Sequence, residues 1–252
     1  MLKKLYEKSR IWFALIWIIS YCVLMSLGDA LSELVGIGKS ATLAIGILMS
    51  AVILLFLKKN GLFGEYGLCA PRASAKTMLY YLPIIIMLSA NLWFGVSLKF
   101  NAVENVLYVL SMLSVGFLEE IIFRGFLFRA MSRDSLPAAV IVSSFTFGMG
   151  HIINLFNGSG AELVPNLLQV IYATAAGFMF VMIFHKTKSL VVCIAAHGIF
   201  NALSAFSSPA AEIYEAQITS CIFLTVITGV YAAYIAFGIK KEKSSSSDDR
   251  QA

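Results

Sequence analysis

The sequence has few charged residues and few cysteines. Asp, Glu, Lys and Arg make up 13% of its 252 residues, against about 25% in soluble domains. The four cysteines show no pairing or metal-type spacing, which argues against a disulfide-stabilised scaffold. Apolar residues reach 59% and the mean hydropathy is +0.84, values that exclude a soluble domain and a disordered chain. The composition therefore predicts an all-α polytopic membrane protein that forms a helical bundle.

Long apolar stretches define the expected membrane spans, each of which needs about 20 residues. The sequence contains eight candidates, over residues 11–27, 41–57, 77–96, 105–128, 137–156, 166–184, 189–208 and 218–239. The first is longer than a signal-peptide core and no small-residue cleavage site follows it, so we expect it to remain as a span. We predict one transmembrane domain over residues 1–243 and a disordered cytoplasmic tail over residues 244–252.

Basic residues concentrate in alternate loops. Of the 19 Lys and Arg residues, 16 precede the first span or follow the second, fourth, sixth and last. The positive-inside rule places these loops in the cytoplasm, so both termini are expected there. We interpret the net charge of +5 as a topology signal and expect no nucleic-acid partner. The surroundings are a lipid bilayer, which we expect to be a bacterial cell membrane.

Three charged residues lie inside the fourth apolar stretch: Glu119, Glu120 and Arg124. Each costs roughly 2.5–3.5 kcal/mol at the centre of a membrane helix, so such residues face the protein interior and are functional candidates. Glu120 and Arg124 are spaced i, i+4 and can pair on one helix face. Glu119 lies about 100° around the helix from Glu120 and needs a different partner.

Other polar residues lie within apolar helices at matching depths. His151 is in the fifth stretch, and His197 and Asn201 share one face of the seventh. A buried carboxylate beside imidazoles is suited to activating water, and an amide donor is suited to stabilising an oxyanion. Two histidines and a carboxylate also form a catalytic zinc set, although the His-Glu-x-x-His spacing is absent.

The three motifs together resemble a known family. Glu119-Glu120-x-x-x-Arg124, Phe147-x-x-x-His151 and His197-x-x-x-Asn201 follow the motif order of the CPBP family, the CAAX proteases and bacteriocin-processing proteins, also called Abi. The family includes type II CAAX prenyl endopeptidases and proteins like lysostaphin resistance protein A. The resemblance covers residues 119–201.

The resemblance implies an intramembrane endopeptidase that hydrolyses a membrane-associated peptide or protein. By position, Glu119 is similar to the glutamate that activates water, with His151 as its partner, and His197 and Asn201 resemble the oxyanion-stabilising pair. Glu120 and Arg124 resemble the supporting pair. We expect no cofactor; if zinc is present, Glu119, His151 and His197 are its candidate ligands.

Two other functions remain open from the sequence. The first is a non-catalytic protein of the same fold that acts in bacteriocin immunity or as a scaffold. The second is a proton-coupled transporter, because intramembrane Glu, His and Arg residues also suit proton relay. Transporters usually contain repeats with broken helices in paired positions, and no clear repeat is present here.

Overall fold

The computed structural model describes residues 2–157 and 160–248, and these residues are mostly helical. In order, α1 to α10 cover Leu2–Lys8, Arg10–Val35, Ser40–Lys59, Leu82–Ser89, Ala102–Glu119, Arg129–Met131, Leu136–Gly150, Leu163–Thr187, Val191–Leu203 and Tyr214–Asp248. A π-helix, Glu120–Phe128, joins α5 to α6. The predicted all-α polytopic bundle is confirmed.

Six helical segments of the described chain are long and apolar enough to cross a membrane. They are Arg10–Val35, Ser40–Lys59, Ala102–Met131, Leu136–Leu155, Leu163–Thr187 and Tyr214–Ile239. Each corresponds to one predicted span. The spans predicted over residues 77–96 and 189–208 contain shorter apolar helices instead, Leu79–Leu92 and Val191–Phe206.

Backbone breaks shorten these two helices. The turn Leu79–Tyr81 has positive φ angles of 49°, 51° and 57°, a left-handed conformation that is unfavourable for L-residues, and Pro83 lies in the first turn of α4 after it. The second helix ends before Ser207, which forms an isolated antiparallel bridge with Val96. Hydrophobicity continues across both breaks, so the apolar pattern predicted longer helices.

The helix ends lie at two faces of the bundle, and contacts between loops show which ends share a face. At one end, Glu65 pairs with Arg10 and, at 2.9 Å, with Arg133. At the same end, the Leu190 N–H donates to the Gly67 carbonyl at 2.8 Å. We call this end the basic face, because the loops that carry most of the Lys and Arg residues meet there.

The other loops meet at the opposite face. The Ser97 N–H donates to the Phe206 carbonyl at 2.9 Å, and Lys99 pairs with Glu212 at 2.9 Å. The loops therefore alternate between two faces in the order that the basic residues predicted. The cytoplasmic location of the basic face and of both termini stays a prediction.

Glycines allow the helices that carry the three motifs to approach closely. A Cβ at Gly116 in α5 would lie 2.5 Å from the Cα of Gly198 in α9. A Cβ at Gly148 in α7 would lie 2.9 Å from the backbone nitrogen of Thr174 in α8. Small residues permit this spacing between membrane helices. The two contacts fix α5 against α9 and α7 against α8, which positions the backbone around the candidate site.

The outward surface of the bundle carries large apolar side chains. Trp12, Ile19, Leu48, Val230 and Phe237 are each more than half exposed. A soluble monomer rarely exposes continuous apolar surface of this kind, whereas a lipid environment accepts it.

The predicted tail falls partly on residues that the structure describes. Residues 244–248 continue α10, which ends at Asp248 and contains no proline. Residues 249–252 lie outside the described residues, as do Met1, Gly158 and Ser159.

Candidate active site

The two glutamates of the first motif lie where α5 becomes a π-helix. Glu119 is the last residue of α5 and Glu120 the first of the π-helix Glu120–Phe128. Short π-helical segments occur frequently at functional sites. The apolar pattern predicted a continuous span over this stretch and did not indicate the change. No residue type in the stretch signals it, since π-helices follow from tertiary packing.

Glu120 and Arg124 form an ion pair inside the protein. Arg124 Nη1 donates to Glu120 Oε1 at 2.9 Å, and both side chains are completely buried. The guanidinium lies over the Phe147 ring, 3.9 Å from its centroid. This cation–π contact adds to the pairing that the i, i+4 spacing predicted, and the ion pair compensates the buried charge of Glu120.

His197 connects both glutamates. Its Nδ1 is 2.9 Å from Glu120 Oε1, and its Nε2 is 3.4 Å from Glu119 Oε2. The ring stacks on Phe180 with centroids 5.6 Å apart and meets Phe147 edge-on. The imidazole is buried, and its two nitrogens face two carboxylates. The two carboxylates fix the direction of the ring nitrogens, and the two aromatic rings fix the plane of the imidazole.

Glu119 has one engaged oxygen and one that makes no hydrogen bond. The Tyr21 hydroxyl donates to Oε1 at 2.6 Å. Oε2 is buried and accepts no hydrogen bond from the described residues. A buried carboxylate oxygen without a donor is unusual, and it is available to a water molecule or a substrate. Tyr21 was not predicted as a site residue. The only sign of it in the sequence is a tyrosine in the middle of the first span.

His151 ends the second motif. It follows α7 directly, in a 3₁₀-helix over His151–Leu155. Its Nδ1 is 3.1 Å from the Phe147 carbonyl oxygen. Because a carbonyl only accepts, Nδ1 carries the proton, and the Nε2 of a neutral ring is an acceptor. The Asn166 side chain donates to the His151 carbonyl at 2.9 Å and holds this turn in place.

Asn201 lies one helical turn after His197 on α9. Its carbonyl accepts a hydrogen bond from the Ser204 hydroxyl at 2.6 Å. The preceding residue, Phe200, has its carbonyl bonded by the Asn91 side chain at 2.6 Å. These two hydrogen bonds hold the C-terminal end of α9, and with it the backbone of Asn201, in place.

Two cavities meet at these residues. The larger, of about 320 Å³, is lined by Glu119, His151 and Asn201. The smaller, of about 50 Å³, is lined by His151, His197 and Asn201 with mostly apolar neighbours. His151 and Asn201 lie at the junction. The four residues predicted to share one layer of the membrane are thus brought to two adjoining cavities.

A catalytic zinc site needs three protein ligands that converge on one point. Among the described residues, no group of three or more His, Cys, Asp or Glu is placed to hold a metal ion. His197 Nδ1 is already bonded to Glu120, and His151 Nδ1 faces the Phe147 carbonyl. Glu119, His151 and His197 as arranged here therefore do not fit a zinc centre.

Cysteine chemistry finds no support in the geometry. Cys193, one turn before His197, is completely buried. Its Sγ donates to the Phe180 carbonyl at 3.5 Å, and it is absent from the lining of both cavities. A thiol in this position packs as a small apolar group.

Comparison with known proteins agrees with the motifs. Residues 101–203 match the family model described as type II CAAX prenyl endopeptidase Rce1-like. Among curated proteins and among solved structures, no match to the chain is significant. The family match covers α5 to α9 and therefore all six candidate site residues. The resemblance to CAAX proteases predicted from the three motifs is confirmed over this region.

Proposed function

We propose that this relative of the CAAX-type proteases is an intramembrane endopeptidase that activates water with Glu119. The observation that carries the proposal is the buried Oε2 of Glu119, which accepts no hydrogen bond from the described residues. It belongs to a carboxylate that lines a cavity together with a histidine and an asparagine. A general base needs a lone pair that is free to accept a hydrogen bond from water, and this oxygen has one.

In the proposed reaction, Glu119 Oε2 and His151 Nε2 accept the two hydrogens of one water molecule. Glu119 takes a proton as the water oxygen forms a bond with the scissile carbonyl carbon. The carbonyl oxygen becomes an oxyanion, which the Asn201 amide stabilises by donating a hydrogen bond. The carbon–nitrogen bond then breaks, and the proton on Glu119 passes to the leaving nitrogen. The products are a carboxylic acid and an amine, and Glu119 is again a carboxylate.

For His197 we propose a different role from the one that the family resemblance implied. Its two nitrogens face Glu119 and Glu120 at 3.4 Å and 2.9 Å, so the ring is already engaged by two acidic side chains. We propose that His197 positions Glu119, and that the oxyanion is stabilised from Asn201. Tyr21 holds the other Glu119 oxygen and so limits rotation of the carboxylate.

The experiment compares hydrolysis of fluorogenic membrane peptides by wild type and by Glu119→Gln protein. Glutamine keeps the shape of the side chain and removes the base, so the rate should fall by about 10²-fold or more. Glu215→Gln is the matched control, since Glu215 is exposed and lies on α10 outside both cavities. A chelator arm tests metal dependence, and we expect no loss of activity.

Three results would count against the mechanism. Equal rates in wild type and Glu119→Gln would remove Glu119 as the base. Loss of activity on chelation, together with about one metal ion per chain, would keep the residues and reassign Glu119, His151 and His197 as ligands. Absence of cleavage by a well-folded wild type, with an intact biological phenotype in Glu119→Gln cells, would favour the non-catalytic role.

A further inference from the structure

The larger cavity runs from the middle of the bundle toward the opposite face. On α2 it is lined by residues from Tyr21 to Asp29, and not by residues nearer Arg10. On α5 and the π-helix that follows it, the lining runs from Tyr108 to Phe123. The lining residues of α3, α7, α8 and α9 also lie in the halves that end at the opposite face, namely Thr42, Gly150, Gln169, Tyr172, Phe200 and Asn201.

Polar and charged side chains continue from the site to that face. The cavity lining includes Asp29 and Lys39, which pair at 2.7 Å. Lys39 lies at the start of α3, in the short loop that joins α2 to α3 at the opposite face. The larger cavity therefore reaches from Glu119, inside the bundle, to a loop at the membrane surface.

Between Glu119 and the basic face, buried aromatic rings fill the interior of the bundle. Phe126 packs against Phe13 with centroids 5.0 Å apart and against Tyr66 at 5.1 Å. Phe128 and Phe184 are 6.0 Å apart. All five rings are nearly inaccessible to solvent. Their packing leaves Glu119 connected to the opposite face and separated from the basic one.

We propose that substrate reaches the site from the extracytoplasmic side, as a peptide segment exposed at that surface of the membrane. This inference rests on the proposed function and on the predicted cytoplasmic location of the basic face, where the loops that carry most of the Lys and Arg residues of the described chain meet. A cytoplasmic protein with a prenylated C-terminus would approach the basic face, where the aromatic rings separate it from Glu119.

Native cysteines provide the test. Cys22 lines the cavity, whereas Cys69 lies near the basic face, where its Sγ is 3.6 Å from the Lys188 carbonyl oxygen. Both are partly exposed. Two variants each keep one of these cysteines and replace the other three with serine. A small, charged, membrane-impermeant methanethiosulfonate is applied to intact cells and to inside-out vesicles.

We expect Cys22 to react in intact cells, and Cys69 to react only in inside-out vesicles. Reaction of Cys22 only in inside-out vesicles would overturn the proposal. If the reagent fails to reach Cys22 in either preparation, Ser26→Cys in the cysteine-free background replaces it, because Ser26 lines the same cavity one turn nearer the opposite face. Lack of labelling there in intact cells would also overturn the proposal.

The labelling does not depend on catalysis, so the two proposals fail separately. Repeating it in a Glu119→Gln background should give the same accessibility. Labelling of Cys22 from outside without any peptide cleavage would contradict the proposed function and leave the access route supported. Cleavage of an added membrane peptide only by inside-out vesicles would contradict the access route and support the peptidase.

Discussion

Replacing Gly116 with alanine tests whether the contact between α5 and α9 sets the geometry of the site. The new Cβ would lie 2.5 Å from both the Cα and the nitrogen of Gly198, about 1 Å closer than the ordinary 3.5–4.0 Å contact between carbon atoms. The opposing atoms are backbone, so no side-chain rotation relieves the overlap. The two helices must therefore separate by about 1 Å.

Such a separation moves His197 away from the acidic pair. His197 directly precedes Gly198, and Glu119 follows Gly116 by less than one turn. The 2.9 Å hydrogen bond between His197 and Glu120 would then be broken, and the 3.4 Å contact between His197 and Glu119 would lengthen. A 1 Å displacement at an active site costs about 10²-fold in rate, while overpacking costs about 1–3 kcal/mol in stability. We expect a folded protein whose kcat is about 10²-fold lower.

The assay measures initial cleavage rates at equal membrane abundance together with the Tm in detergent. Gly229→Ala on α10 is the control, because no atom lies within 4 Å of the added Cβ. Its rate and Tm should match wild type. A Gly116→Ala protein with wild-type kcat would refute the claim that this contact fixes the site.

Two further substitutions separate structural support from chemistry. Arg124→Leu leaves Glu120 buried without its ion pair, which typically costs about 3–5 kcal/mol, so abundance and Tm should fall together with activity; lost activity in a protein of unchanged Tm would show instead that Arg124 acts directly in the reaction. Asn201→Ala removes the proposed oxyanion donor, so kcat should fall by about 10²–10³-fold with little change in KM; a rise in KM at constant kcat would assign Asn201 to substrate binding.

The sequence predicted the membrane bundle and the polar residues of the site because both depend on local composition. Long apolar stretches are visible without a structure, and charges such as Glu119 and Arg124 stand out within them. The i, i+4 spacing also predicted the ion pair of Arg124 with Glu120, which the structure contains. The left-handed turn Leu79–Tyr81 did not appear in the apolar pattern, because it breaks the backbone without interrupting hydrophobicity.

Long-range contacts account for what the sequence did not predict. Tyr21 and Glu119 are separated by 98 positions, and no spacing rule connects a tyrosine in the first span to a glutamate in the third long helix. The bridging position of His197 likewise depends on the approach of α9 to α5 through Gly198 and Gly116. Motif order identified the residues, and the helix packing decides which atoms face one another.

The arrangement also explains how adjacent glutamates can have different roles. Glu120 is completely buried and compensated by Arg124, and its Oε1 also faces His197 Nδ1 at 2.9 Å. Glu119 has no arginine or lysine partner among the described residues; it is held by Tyr21 at Oε1 and lies beside His197 at Oε2. Glu120 is paired with Arg124 and is absent from the lining of both cavities, which is why the proposed mechanism assigns the base to Glu119. In that mechanism, Arg124 supports the reaction indirectly, by compensating the charge of Glu120 one residue away from the base.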